Sequence, residues 1–83
     1  MTITTAEENY LKAIFKIAEK EGKAVLTNSI AAAMNTAAAS VTDMLKRLAE
    51  KQLIKYEKYR GVELTEEGNR TATVLIRKHR LWE

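Results

Sequence analysis

The 83-residue sequence has no cysteine, no proline, one histidine and three glycines. Without cysteine there is neither a disulfide framework nor a thiolate metal site. One histidine, with no glycine-rich phosphate loop, leaves no catalytic constellation, so an enzyme is not expected. No apolar run approaches the length that spans a bilayer, and the first residues hold no signal-type apolar core. A cytoplasmic location is therefore expected. With proline absent, punctuation falls to Gly22, Gly61 and Gly68, each expected at an element boundary. Internal repeats and linkers are also missing, so residues 1–83 read as one domain near the small end of the autonomous range.

Charge is unevenly distributed. Residues 1–45 carry four lysines and five acidic residues; residues 46–83 carry ten Lys and Arg against six acidic residues. The first part is thus −1 and the second +4, which together give the overall +3. A basic half suits an anionic partner.

The apolar periodicity predicts four helices and a hairpin. Helix 1 is expected over Ala6–Glu21, with Thr5 and Glu8 as a capping box and Leu11, Ile14, Phe15 and Ala18 as its core stripe. Lys23–Leu26 is an extended link able to pair with a neighbouring strand. A short helix follows Thr27, its expected cap, with Ile30, Ala31 and Met34 facing inward. Asn35 suits the left-handed residue of a tight turn, and Thr36 is expected to cap the next helix. That helix, Ala37–Lys51, buries Val41, Met44, Leu45 and Leu48. Leu53–Tyr59 and Val62–Leu64 form a hairpin around Arg60–Gly61, with Ile54 and Tyr56 inward opposite Val62 and Leu64. The last helix starts at Glu66, capped by Thr65, and puts Ala72, Leu75, Ile76 and His79 on one face. It meets no stop signal before Glu83.

A mainly α fold with a small β-hairpin, in this order, is the layout of a winged helix-turn-helix. Such a domain usually lays the second helix of the pair in the DNA major groove. The candidate DNA contacts are Thr27, Asn28 and Ser29 at the start of the short helix. On the longer helix they are Ala37, Ala39, Ser40, Thr42, Asp43, Lys46 and Arg47. Small residues at its beginning permit close approach of the backbone, hydroxyls reach bases or phosphates, and Lys46 and Arg47 supply charge. Arg60 on the wing tip, beside Lys58 and Tyr59, would reach a phosphate or the minor groove. Taken alone, the longer helix would read as an ordinary amphipathic helix with a solvated face; the flanking short helix and hairpin shift the balance.

The stretches AEENYLKAIF, SIAAAM, SVTDMLKRLAEKQLIKYEKYRGVELTEEG and RKHRLWE resemble the metal-dependent regulators of the diphtheria toxin repressor and manganese transport regulator family. The resemblance covers nearly the whole sequence. It implies a homodimeric transcriptional repressor that binds a double-stranded DNA operator and is activated by Fe(II) or Mn(II). Its recognition helix would be about 37–51, its wing about 53–65, and its last helix, about 66–83, would lead to a dimerisation domain beyond this stretch.

By position, His79 and Glu83 match family metal ligands. They stand four residues apart, on one helical face, so both can reach one cation. Imidazole with carboxylate suits Fe(II) or Mn(II). Asn9 stands where the family has a ligating Met or Asp before the tyrosine of the first helix. Lys12 stands where manganese-type members have a second carboxylate, and Glu8 points about 100° away from Asn9. Two or three donors make no tight site, so no metal is expected to bind this stretch tightly by itself. Asp43 occupies a position where the family carries a longer polar side chain, and an aspartate there can accept from a cytosine amino group. The alternatives are a winged-helix regulator without metal sensing, which metal titration would separate, and a winged helix used for protein contact, against which Lys46 and Arg47 argue. A membrane-surface helix is disfavoured because the cations are spread over several elements.

Overall fold

The structure, a computed structural model, describes the backbone of residues 3–22, 24–57 and 60–81, with side chains to Lys78. Its elements run α1 (Thr5–Glu21), α2 (Thr27–Met34), α3 (Ala38–Glu50), β1 (Ile54–Glu57), β2 (Gly61–Leu64) and α4 (Glu66–Leu81). This is the expected winged helix-turn-helix. Lys58, Tyr59 and Glu83 lie outside the described residues.

Helix α1 begins one residue earlier than its sequence suggests, because the capping box is Thr4 with Glu7, not Thr5 with Glu8. The Glu7 N–H donates to Thr4 Oγ1 at 3.1 Å, and the Thr4 N–H donates to Glu7 Oε1 at 2.8 Å. Glu7 continues the stripe of Tyr10, Leu11 and Ile14 and is only 2 % exposed. Its Oε1 also accepts from Lys51 Nζ at 2.7 Å, which joins the start of α1 to the end of α3. That partner favours the register in which Glu7, not Glu8, closes the box.

Two helix ends are built alike. At the end of α2, Asn35 takes the left-handed conformation (φ 52°, ψ 52°). Its N–H donates to Ala32 O, and the Thr36 N–H donates to Ala31 O. These are the paired bonds of a Schellman motif. At the end of α3, Gln52 (φ 61°) repeats the arrangement, with Gln52 N–H to Ala49 O and Leu53 N–H to Leu48 O. Leu48 and Leu53 are both buried, as the hydrophobic contact of that motif requires.

The expected caps of α2 and α3 are displaced. Thr27 is the first residue of α2, whose N-cap is Leu26; α3 has Ala37 as its N-cap, and neither makes a side-chain cap bond. Thr36 is committed to closing α2, which leaves the next residue to begin α3. Thr65 does cap α4, accepting the Gly68 N–H at 3.0 Å.

The hairpin pairs Ile54 with Leu64 and Tyr56 with Val62. Val25 adds a rung on the other edge of β2: it exchanges two hydrogen bonds with Val62, at 2.8 and 2.7 Å. The link before α2 thus pairs with the wing, as expected. Gly61 (φ 96°) sits beneath this rung, where a Cβ would lie 2.6 Å from Val25 O. Gly68 falls inside the first turn of α4, where a Cβ would overlap the Leu53 carbonyl oxygen. The core draws on every element: Leu11 and Ile14, Ile30, Val41, Leu45 and Leu48, Ile54, Val62 and Ala72. Met44, expected in the stripe, is half-buried against it.

Candidate nucleic-acid interface

The buried stripe of α3 fixes what its other side presents. With Val41, Leu45 and Leu48 inside, Asp43 stands opposite the core, on the midline of the exposed face. Ala39, Arg47 and Glu50 lie within about 40° of that midline and Ser40 and Lys46 about 60° to either side. Ala37, Ala38, Ala39, Ser40, Asp43, Lys46, Arg47 and Glu50 are all exposed. Thr42 is half-buried, and its hydroxyl donates to Ala38 O at 3.0 Å, so it can offer a ligand an acceptor only.

Helix ends carry partial charge, and their first N–H groups seek an acceptor. The first turns of α2 and α3 contain no acidic residue and no side-chain cap. At α2 the cap position holds Leu26, which is 59 % exposed. Asn28 beyond it is exposed, and Thr27 and Ser29 are half-buried. Both helix starts therefore keep positive ends that neither a carboxylate nor a hydroxyl neutralises. The sequence has cap-type residues, Thr27 and Thr36, beside both starts, which is why caps were expected there.

Arg60 is exposed at the wing, with its Nε 3.7 Å from Glu57 Oε2. That separation on a solvated surface holds Arg60 weakly. It lines a shallow cleft with Ala24, so the wing adjoins the strand that leads into α2.

The metal candidates stand elsewhere. Ala18 and Glu19 of α1 share a cleft with Glu66 and Asn69 of α4; Phe15 and Lys16 share the next with Thr73, Ile76 and Arg77. The two helices are therefore antiparallel, and the start of α1 and the end of α4 lie at one end of the molecule. Asn9 is exposed on the first. The His79 backbone belongs to the second, while its side chain and all of Glu83 fall outside the described residues. Among the described residues, no group of three His, Cys, Asp or Glu side chains could hold a metal.

Glu7 is a buried charged residue that sequence reasoning passed over. Its carboxyl is held below the usual glutamate range by the hydrogen bond from Lys51 and by the Thr4 N–H, against burial, which pushes it up. Its Oε2 is buried without a hydrogen-bond partner among the described residues. The available signal was its spacing, three, four and seven residues before Tyr10, Leu11 and Ile14.

Helix pair, wing and an exposed α3 face on which Lys46 and Arg47 stand beside Asp43 and Glu50 together give a winged helix-turn-helix domain. Residues 2–62 match the family model for the iron dependent repressor, N-terminal DNA binding domain, and the chain belongs to that family. It is 36% identical over 80 residues to the HTH-type transcriptional regulator MntR of Shouchella clausii, covering 96% of this chain and 55% of that one. Among solved structures, the manganese regulator SloR is 37% identical with a TM-score of 0.74, over 98% of this chain and 36% of that one. ScaR with bound Zn2+ is 32% identical with a TM-score of 0.76, over 90% and 34%. The chain spans about half the length of the curated relatives it matches. The family is one of transcriptional regulators. No helix among the described residues is long and apolar enough to cross a membrane.

Proposed function

We propose that this domain binds duplex DNA with α3 in the major groove, the start of α2 on the phosphate backbone and Arg60 beside the groove. The carrying observation is the α3 face opposite the core, which is wholly exposed and flanked by Lys46, Arg47 and Ser40. Thr27, Asn28 and Ser29 adjoin the uncapped end of α2, where backbone N–H groups suit phosphate oxygens. Affinity is then mainly electrostatic. With four to six phosphates engaged, log affinity falls against log salt with a slope of about −4 to −5. The test is a salt titration of duplex binding by wild type and by an Arg47→Ala/Arg60→Ala variant. A flat salt response, or unchanged binding by the double variant, defeats this docking.

In the whole protein, the domain serves a cytoplasmic, homodimeric repressor that responds to Fe(II) or Mn(II). His79, Glu83 and Asn9 would supply part of the metal shell. Imidazole, carboxylate and amide oxygen, without thiolate, suit these ions. The ion would supply positive charge between the start of α1 and the end of α4, with its remaining ligands contributed by other parts of the whole protein. The 83-residue domain alone is accordingly a weak metal binder. It is also a monomer at micromolar concentration that binds DNA weakly, because one winged helix lacks the avidity of two. In the full-length protein, His79→Ala lowers metal-activated operator binding while helicity is retained. Operator binding that survives chelation in the wild type would instead favour a winged-helix regulator without metal sensing.

A further inference from the structure

We propose that Asp43 reads a cytosine in the operator half-site, and that the small residues before it make this reading possible. The inference rests on the DNA-binding reading above and assigns a base preference to it. Asp43 is exposed on the midline of α3, opposite Val41, Leu45 and Leu48. A helix lying in a groove turns its midline to the base edges and its flanks to the sugar–phosphate walls. The flanks here are cationic or hydroxylic: Lys46 on one side, Arg47 and Ser40 on the other. The carboxylate therefore meets the floor of the groove, away from the phosphates that would repel it.

An ionised carboxylate only accepts hydrogen bonds. In the major groove, guanine shows two acceptors and thymine an acceptor with a methyl group; adenine and cytosine show donors. Adenine places its amino group beside the N7 acceptor, which opposes a carboxylate. The cytosine amino group is the one donor whose own base edge carries no acceptor there. Aspartate has a short side chain, so its helix must come close. Ala37, Ala38, Ala39 and Ser40, all exposed, present nothing longer than a hydroxymethyl group on the turn before it. Ala39 precedes Asp43 by one turn, about 6 Å along the axis.

The test is selection of bound duplexes from a randomised library, at low salt, by the wild-type chain, Asp43→Asn and Asp43→Ala, each first checked for native helicity. The wild type should enrich cytosine at one position by roughly tenfold or more over each other base. Asp43→Asn should move that preference to adenine, whose amino group and N7 suit an amide. Asp43→Ala should abolish it at that position alone. A further variant, Ala39→Leu, should also erase the cytosine preference by holding the helix off the bases. Identical base preferences in wild type and Asp43→Ala overturn the inference. So does a uniform gain of affinity for all sequences in Asp43→Ala, which would put the carboxylate against phosphates. A wild type that retains no duplex at all overturns the DNA-binding reading itself and this inference with it; loss of base preference with binding kept overturns only the inference.

Discussion

Helices α1 and α4 begin differently from α2 and α3. The first pair commit their free N–H groups: Thr4 and Glu7 close a capping box on α1, and Thr65 accepts the Gly68 N–H on α4. Each also carries two glutamates in its first turn, Glu7 and Glu8, Glu66 and Glu67. The second pair have neither caps nor acids. All four helices answer to the same end effects, so the difference reflects the work each helix does. The scaffold helices satisfy their ends internally. The helix-turn-helix pair gives up roughly 1 kcal/mol per missing cap, and on the proposed docking its two positive ends meet phosphate.

The largest effect should come from breaking a committed end. In Gly68→Ala, the new methyl overlaps the Leu53 carbonyl and disturbs the N–H that Thr65 caps. A loss of about 3 kcal/mol is expected, read as a lower denaturant midpoint.

Glu7→Ala comes next. It removes the acceptor of the Thr4 N–H, leaving only the Thr4 Oγ1 half of the capping box, and leaves Lys51 without this carboxylate, for a loss of about 2 kcal/mol. The same residue gives a pH signature. Unfolded, a glutamate protonates near pH 4.3; folded, Glu7 keeps its charge to lower pH. Its contribution is full above the ordinary carboxylate range. It is lost progressively as pH falls through that range to the lowered folded value. Stability curves of wild type and Glu7→Gln should therefore converge on acidification; parallel curves would remove the ion pair from the account.

The smallest effect sharpens the contrast most. A cap installed on α3 by Ala37→Ser or Ala37→Asp should stabilise the fold by about 0.5–1 kcal/mol. Ala37→Asp should at the same time weaken duplex binding severalfold, and more at low salt, because its charge occupies the phosphate end. Ala37→Asp that binds as well as wild type would mean that the start of α3 is left bare for some reason other than DNA.

Most of the fold was legible because apolar spacing reports it directly. Leu11 with Ile14, Val41 with Leu45 and Leu48, and Ile54 opposite Leu64 all pack as their periods demand. The turn at Asn35 and the cap at Thr65 were legible for the same reason: few residues do those jobs. The α1 register was not. The run Thr4–Thr5–Ala6–Glu7–Glu8 offers the same capping box twice, and the choice depends on Lys51, 44 residues away. The caps of α2 and α3 misled because Thr27 and Thr36 are good cap residues in suitable places. Thr36 was already engaged with Ala31, and α2 starts at Thr27 itself. On the candidate interface, the exposed α3 face followed from the same period. The arrangement of the candidate metal ligands did not, since two or three donors without their partners have no geometry to read.

One junction has a consequence for how this domain can vary. The Thr65 hydroxyl donates to Gln52 O at 2.7 Å while accepting from Gly68, and the Thr65 N–H donates to Leu53 O. The chain thus leaves α3 and returns to α4 through one knot of hydrogen bonds, and the hairpin between them is an excursion closed at its neck. Length added at the tip is then insulated from the core, and each doubling of the loop costs only about 0.6 kcal/mol. The wing thus has two parts that answer to different demands: a base fixed by Ile54, Val62 and the Val25 bridge, and a tip whose length can change while that base and the four helices keep their seats.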